Sequence, residues 1–268
     1  MACFICTACG SEFADSGAAP PPRCPVCEDA RQFVPASGQG WTTPQALRAK
    51  HTIGFRAQEA KLIGVGCFPD FAIAQRALLV RTPAGNMLWD CLSLLDDATV
   101  EIIGALGGLA AIAISHPHYY GNMVEWGRAF RCPVLLHAAD RDFVMRPDSC
   151  LDFWEGETRP VLPGLTLHRL GGHFPGATVL HWEQGAEGRG ALLAGDIASV
   201  APDRRHVSFM WSYPNWVPLP AAEVSRIGQR LAALEFDRVY GAWWDRVIAS
   251  DGKAAVARSV ARYVAALN

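Results

Sequence analysis

Long apolar runs are missing from this sequence: no stretch approaches the length needed for a membrane-spanning helix. The opening residues Met1-Ala2-Cys3-Phe4-Ile5-Cys6 lack the basic region and extended apolar core of a secretion signal. Lysine is scarce, so nearly all of the 24 positive side chains are arginine, a bias we attribute to genome composition. They form no run that reads as a nucleic-acid patch, and a formal net charge of −2 offers little to a polyanion. A Gly-x-Ser-x-Gly elbow is absent, which argues against serine hydrolase chemistry. Gly64-Val65-Gly66 lacks the remainder of a dinucleotide fingerprint. Neither an internal repeat nor a low-complexity tract occurs. These absences point to a cytoplasmic protein acting on a small-molecule substrate, with no nucleic-acid or membrane partner and with homo-oligomerisation left open. In a reducing compartment the nine cysteines favour metal binding or free thiols over disulfides.

What is present begins with four of those cysteines. Cys6-Thr7-Ala8-Cys9-Gly10 and Cys24-Pro25-Val26-Cys27 form a paired Cys-x-x-Cys set. Each turn can present two thiolates to one tetrahedral ion, and glycine or proline beside the thiolates suits the tight backbone. The sequence between the pairs, including Ala18-Ala19-Pro20-Pro21-Pro22-Arg23, is too short and polar to build a core, so a metal staple supplies the folding energy. The pattern resembles a zinc ribbon and the short rubredoxin-like knuckles. Zinc is expected here, with iron the alternative, because both suit a tetrahedral sulfur site. Cys3–Cys6 is a competing register; Gly10 after the second thiolate favours Cys6–Cys9. Residues 1–40 are read as this module and its linker, and 41–268 as the main domain; a chain of 268 residues, half of them hydrophobic, has room for one large core beside a small module.

In the main domain, Thr42-Thr43-Pro44 reads as the start of a helix running to Phe55. Strands are expected at Leu62–Gly66, Ala77–Thr82 and Met87–Cys91. Asp96 or Asp97 caps a helix through Leu106, stopped by Gly107-Gly108. Helices follow over 122–130 and 138–145, with a buried strand at Val134–His137. Leu165 to Asp196 is rich in strands. Val224, Ile227, Leu231 and Leu234 line one face of a later helix, Arg238–Gly241 is one more strand, and Val256, Val260, Tyr263, Val264 and Leu267 stripe a closing helix. Two strand-rich blocks, each followed by helices, fit two sheets packed together with helices outside.

The chemistry concentrates at strand ends. Ser115-His116-Pro117-His118-Tyr119-Tyr120-Gly121 follows the apolar run Ala110–Ile114, which reads as a buried strand. On extended backbone His116 and His118 point the same way and can share one ion. His173 stands in the glycine-rich turn Gly171-Gly172-His173-Phe174-Pro175-Gly176, and Asp196 ends the apolar run Ala191–Gly195. Such an aspartate most often caps a loop; with three histidines in similar settings it becomes a fourth candidate ligand.

A histidine pair, a glycine-flanked histidine and a strand-end aspartate, together with Asn86-Met87-Leu88-Trp89-Asp90, resemble the metallo-β-lactamase superfamily from about Leu62 onward. The resemblance implies an α/β, four-layer αββα sandwich with a metal at one edge. It also exposes departures. In the usual His-x-His-x-Asp-His signature the aspartate position is Tyr120 and the last histidine position is Gly121. The family's final histidine would fall near Tyr240-Gly241-Ala242-Trp243, where there is none. First-metal residues His116, His118 and His173 and the shared Asp196 remain, so the resemblance implies one divalent ion, zinc or iron, rather than two. Expected roles are Asp196 as ligand or proton acceptor and Tyr120 as hydrogen-bond donor to a developing oxyanion, with packing into the vacated space as the alternative. Trp243, Trp244 and Asp245 are expected to shape a substrate pocket, although at least half of the aromatics Trp211, Trp216, Trp243 and Trp244 are better read as core. His206 is read as a loop residue that could at most replace a lost ligand. The function implied is a metal-dependent hydrolase of a small ester, thioester or lactone. Alternatives are a mononuclear iron oxidoreductase resembling the sulfur dioxygenases, and a non-catalytic relative that lost its metal.

Overall fold

The computed structural model describes residues 3–14 and 16–267. The chain forms two compact units, Met1–Trp154 and Glu155–Asn268.

The first unit is built on a seven-stranded sheet. Thr52–Glu59, Leu62–Phe68, Arg76–Thr82 and Gly85–Trp89 run antiparallel, joined by short turns. From Gly85–Trp89 the sheet continues in parallel through Ala111–Ala113, Val134–His137 and Leu151–Trp154. Parallel neighbours need crossovers, and two of them carry helices, Asp97–Ala105 and Met123–Phe130. Asp96 caps the first by accepting the Thr99 N–H at 2.8 Å, as its position before an apolar run implies. The inner parallel strands Ala111–Ala113 and Val134–His137 are fully buried and apolar up to His137, whereas the edge strand Leu151–Trp154 is largely half-buried and carries Asp152.

The helix expected over 41–55 is confined to Pro44–Arg48, capped by the Thr43 hydroxyl. Beyond it, Thr52, Ile53 and Phe55 follow strand chemistry and pair with Leu62–Phe68. Ile53 packs against the buried cluster of Ile5, Leu47 and Leu94, an anchorage that local propensity does not reveal. The segment after Val134–His137 is a 3₁₀ stretch, Ala138–Phe143, rather than a helix through Met145.

The second unit is a six-stranded sheet. Thr158–Leu162, Leu165–Arg169, Thr178–Trp182 and Ala191–Gly195 are antiparallel. Ala191–Gly195 then pairs in parallel with Arg238–Gly241, which pairs antiparallel with Val247–Ile248. The helix Ala221–Ala232 makes that parallel crossover and buries Val224, Ile227 and Leu231. Gly252–Leu267 closes the unit. Among the described residues, no helix is long and apolar enough to cross a membrane.

Candidate metal centres

In α/β sheets the carboxyl ends of parallel strands carry ligands, because the chain turns there away from the sheet and leaves side chains exposed at its end. Asp90 follows Gly85–Trp89, His116 follows Ala111–Ala113, and Asp196 follows Ala191–Gly195.

In the first unit, Asp90 fixes the start of the histidine segment. Its carboxylate Oδ1 accepts the Ser115 N–H at 2.8 Å, and its own N–H donates to the Ala113 carbonyl at 2.8 Å. Next to it, His116 is extended (φ −171°, ψ 174°), but Pro117–Tyr119 then forms a 3₁₀ turn. The two histidines are therefore not consecutive same-side residues of a strand. Pro117, with its fixed φ, opens the turn that swings His118 back until the rings stand 5.0 Å apart. The Ser115 hydroxyl lies 3.0 Å from His116 Nδ1, and the Tyr119 ring meets the His116 ring at 4.5 Å. Tyr120 is buried and its O–H donates to the Asp140 carbonyl at 3.4 Å. Burial, and secondarily the Asp140 charge, pushes its pKa well above the ordinary phenol value. Gly121 has φ +51°, and a Cβ there would lie 2.7 Å from the Leu92 carbonyl carbon and oxygen. The place where the signature would put a further histidine is thus closed by backbone.

In the second unit, His173 is buried after Gly171-Gly172, and its Nδ1 lies 2.9 Å from the Trp211 carbonyl and 3.2 Å from that of Met210. Backbone carbonyls only accept, so Nδ1 carries the proton and Nε2 keeps the lone pair a metal needs. Those carbonyls belong to a hairpin of Met210–Ser212 and Val217–Pro218. Tyr213, in its turn, stacks edge-on to His173 at 5.7 Å and donates its O–H to the Asp196 carbonyl at 2.7 Å. It ties both ligand candidates of this unit together. Sequence reasoning passed over it, because one tyrosine in the aromatic run 209–216 carries no mark of such a role.

One ligand atom from each of His116, His118, His173 and Asp196 lies within 4.8 Å of the others, and all four residues are buried. Three imidazoles and a carboxylate are a donor set for zinc or iron. His206 lies outside this group and bonds Asp203 at 2.6 Å in a loop. A cavity of about 490 Å³ in the second unit is lined by Ser199, Tyr213, Trp243, Asp245 and Arg246 among others. Trp244 is half-buried and not part of that lining. Trp216 is 84% exposed, so it is not core.

The second metal group is Cys6, Cys9, Cys24 and Cys27, all as free thiols, with Cys6–Cys27 and Cys9–Cys24 sulfurs 3.4 Å and 3.7 Å apart. Cys3 is not in this group, whose members follow the Cys6–Cys9 register. Hydrogen bonding from Cys24, then Cys27, holds the Cys6 thiol far below its ordinary pKa, while bonds from Cys24 hold Cys9 and Cys27 up. A cation bound there would take the cysteines as thiolates. The cluster fits a small zinc-ribbon-like module.

No family model matches the sequence. The uncharacterized protein YmaE of Bacillus subtilis (strain 168) is 46% identical over 270 residues, which span 100% of this chain and 98% of YmaE. Among solved structures, DIM-1 metallo-β-lactamase matches 80% of this chain and 98% of its own with a TM-score of 0.60 at 12% identity. VMB-1 matches 81% and 98% with a TM-score of 0.60 at 11% identity. A Cronobacter sakazakii metallo-β-lactamase with a HARLDQ motif matches 79% and 95% with a TM-score of 0.52 at 21% identity. The fold is that of the metallo-β-lactamases.

Proposed function

The chain belongs to the same family as YmaE, and we propose that it is a metal-dependent hydrolase which holds one ion on His116, His118, His173 and Asp196 and acts on a small ester, thioester or lactone. The observation that carries this reading is the convergence of four buried ligand atoms within 4.8 Å. Closure of position 121 by the Leu92 backbone favours one ion over two.

A divalent ion, when bound, supplies a Lewis acid and makes coordinated water acidic near neutral pH. His116, His118 and His173 would hold it through imidazole nitrogens, and Asp196 would either join them as a ligand or accept a proton. Tyr120, kept protonated by burial, would have to release the Asp140 carbonyl to donate its one O–H to negative charge on the substrate oxygen, and does not act as a base. Trp243 and Tyr213 wall the cavity for an apolar group, with Asp245 and Arg246 as its charged residues; Trp244 stands beside them in sequence. The fold alone suits a hydrolase and does not choose the substrate.

The test is a panel of esters, thioesters and lactones offered to metal-loaded and metal-stripped protein. Turnover that needs the ion supports the reading. Tyr120→Phe should lower turnover roughly a hundred- to a thousandfold while leaving metal content unchanged. Full activity in that variant removes the tyrosine from the mechanism. Dioxygen uptake by iron-loaded protein, with no hydrolysis, replaces the reading with the oxidoreductase alternative.

A further inference from the structure

We infer that the four-cysteine module is a positioning element of the His116–His118 segment, so that the two metal sites of this chain load cooperatively; this rests on the proposed metal site above. The module touches that segment through its backbone. The Glu12 N–H donates to the Gly121 carbonyl at 3.0 Å, three residues past His118. The Ser93 hydroxyl donates to the Gly10 carbonyl at 2.7 Å, and Gly10 has φ +80° with no room for a Cβ, which would lie 2.3 Å from the Ser93 oxygen. Preceding Ser93, Leu92 is the residue whose carbonyl accepts the Asn122 N–H at 3.0 Å and whose backbone presses on Gly121.

A second set of ties runs through the segment after Val134–His137. Phe143 and Met145 pack on the buried cluster of Cys6, Ala8, Cys9, Phe13, Cys24 and Val26. The Ala14 N–H donates to the Met145 carbonyl at 3.2 Å. Tyr120 bonds Asp140 in that same segment. Arg146 pairs with Glu12 at 2.5 Å and with Glu125 at 2.7 Å, and Glu125 lies in the helix that the histidine segment leads into. Gly121 is thus bonded to the module directly, while Tyr120 and Asn122 are bonded to Asp140 and Leu92, in segments whose neighbouring residues Phe143, Met145 and Ser93 touch it.

The apolar cluster of the module is too small to order it alone, so the ion supplies the ordering energy. Emptying the thiols releases Glu12 and Gly10, and the histidine segment loses its outer support. Linkage makes the effect reciprocal: an ion on the histidines tightens the cysteine site by the same factor.

Cobalt(II) separates the sites in the full chain, since thiolate charge-transfer absorption reports the cysteines and weak visible bands report the histidine site. With Cys24→Ser/Cys27→Ser, the affinity of the histidine site for cobalt should fall about tenfold, and amide exchange at residues 119–123 should quicken. Unchanged affinity and exchange in a folded variant overturn the proposal. Should that variant not fold by circular dichroism, Ser93→Ala/Glu12→Gln decides, because it keeps all four cysteines. Faster exchange at Gly121 and Asn122 with the thiolate band intact supports the coupling, and unaltered exchange refutes it. If the wild-type chain shows the thiolate band alone, the histidine metal site is wrong, while the exchange comparison still decides the coupling.

Discussion

Asp90 shows how one carboxylate organises the histidine segment. It is buried, adopts φ +62°, and offers Oδ1 to the Ser115 N–H immediately before His116. Asp90→Ala leaves that buried N–H without its acceptor and should cost about 1–3 kcal/mol, read as a lower urea midpoint with weaker metal retention. An unchanged midpoint would show the bond to be dispensable. The Asn86–Asp90 pattern was visible in the sequence, but not its partner, since 25 residues separate Asp90 from Ser115. His168 contributes a pH dependence of stability between its folded and unfolded pKa values. Its Nε2 is buried without a hydrogen-bond partner, and burial, then the charges of His181 and Arg230, lowers its pKa from 6.5 to about 4. The unfolded chain therefore binds more protons between those values, so stability should rise with pH across that window and fall as pH drops from 6.5 towards 4. His168→Gln should flatten that slope in urea melts run at several pH values; an identical slope would assign it to other groups.

Helices and strands differ in how far their sequences announce them. Ala221–Ala232 was readable because Val224, Ile227 and Leu231 recur at helical spacing and do face the core. Ile227→Ala should cost about 2–5 kcal/mol in chemical denaturation. Trp216→Ser, by contrast, should change stability by no more than about 0.5 kcal/mol, since the ring is exposed. Equal losses from both would mean that Trp216 is covered in solution. Thr52–Glu59 was illegible as a strand: its identity depends on pairing with Leu62–Phe68 and on packing against Leu47, contacts that a window of sequence does not contain. The turn at Pro117 shows the same limit. The histidine pair was readable, and the 3₁₀ geometry that brings the rings together was not.

For the molecule as a whole, the fold and the two groupings of candidate ligands were legible, because they rest on residue types that few other arrangements require. Four paired cysteines and a histidine pair at a strand end point to their chemistry without a structure. Tyr213 was not legible: its bond to the Asp196 carbonyl and its contact with His173 arise from a hairpin whose course depends on the folded unit. The substrate is likewise a property of the cavity around Trp243, Asp245 and Arg246, whose shape no motif encodes. Metal stoichiometry bears on the account at its root. Protein purified from metal-supplemented medium should carry two ions per chain, one for each ligand group. His118→Ala/His173→Ala should reduce that to one, with the cysteine ion retained. Three ions in the native chain, or two still bound in that variant, would contradict a single ion held by His116, His118, His173 and Asp196.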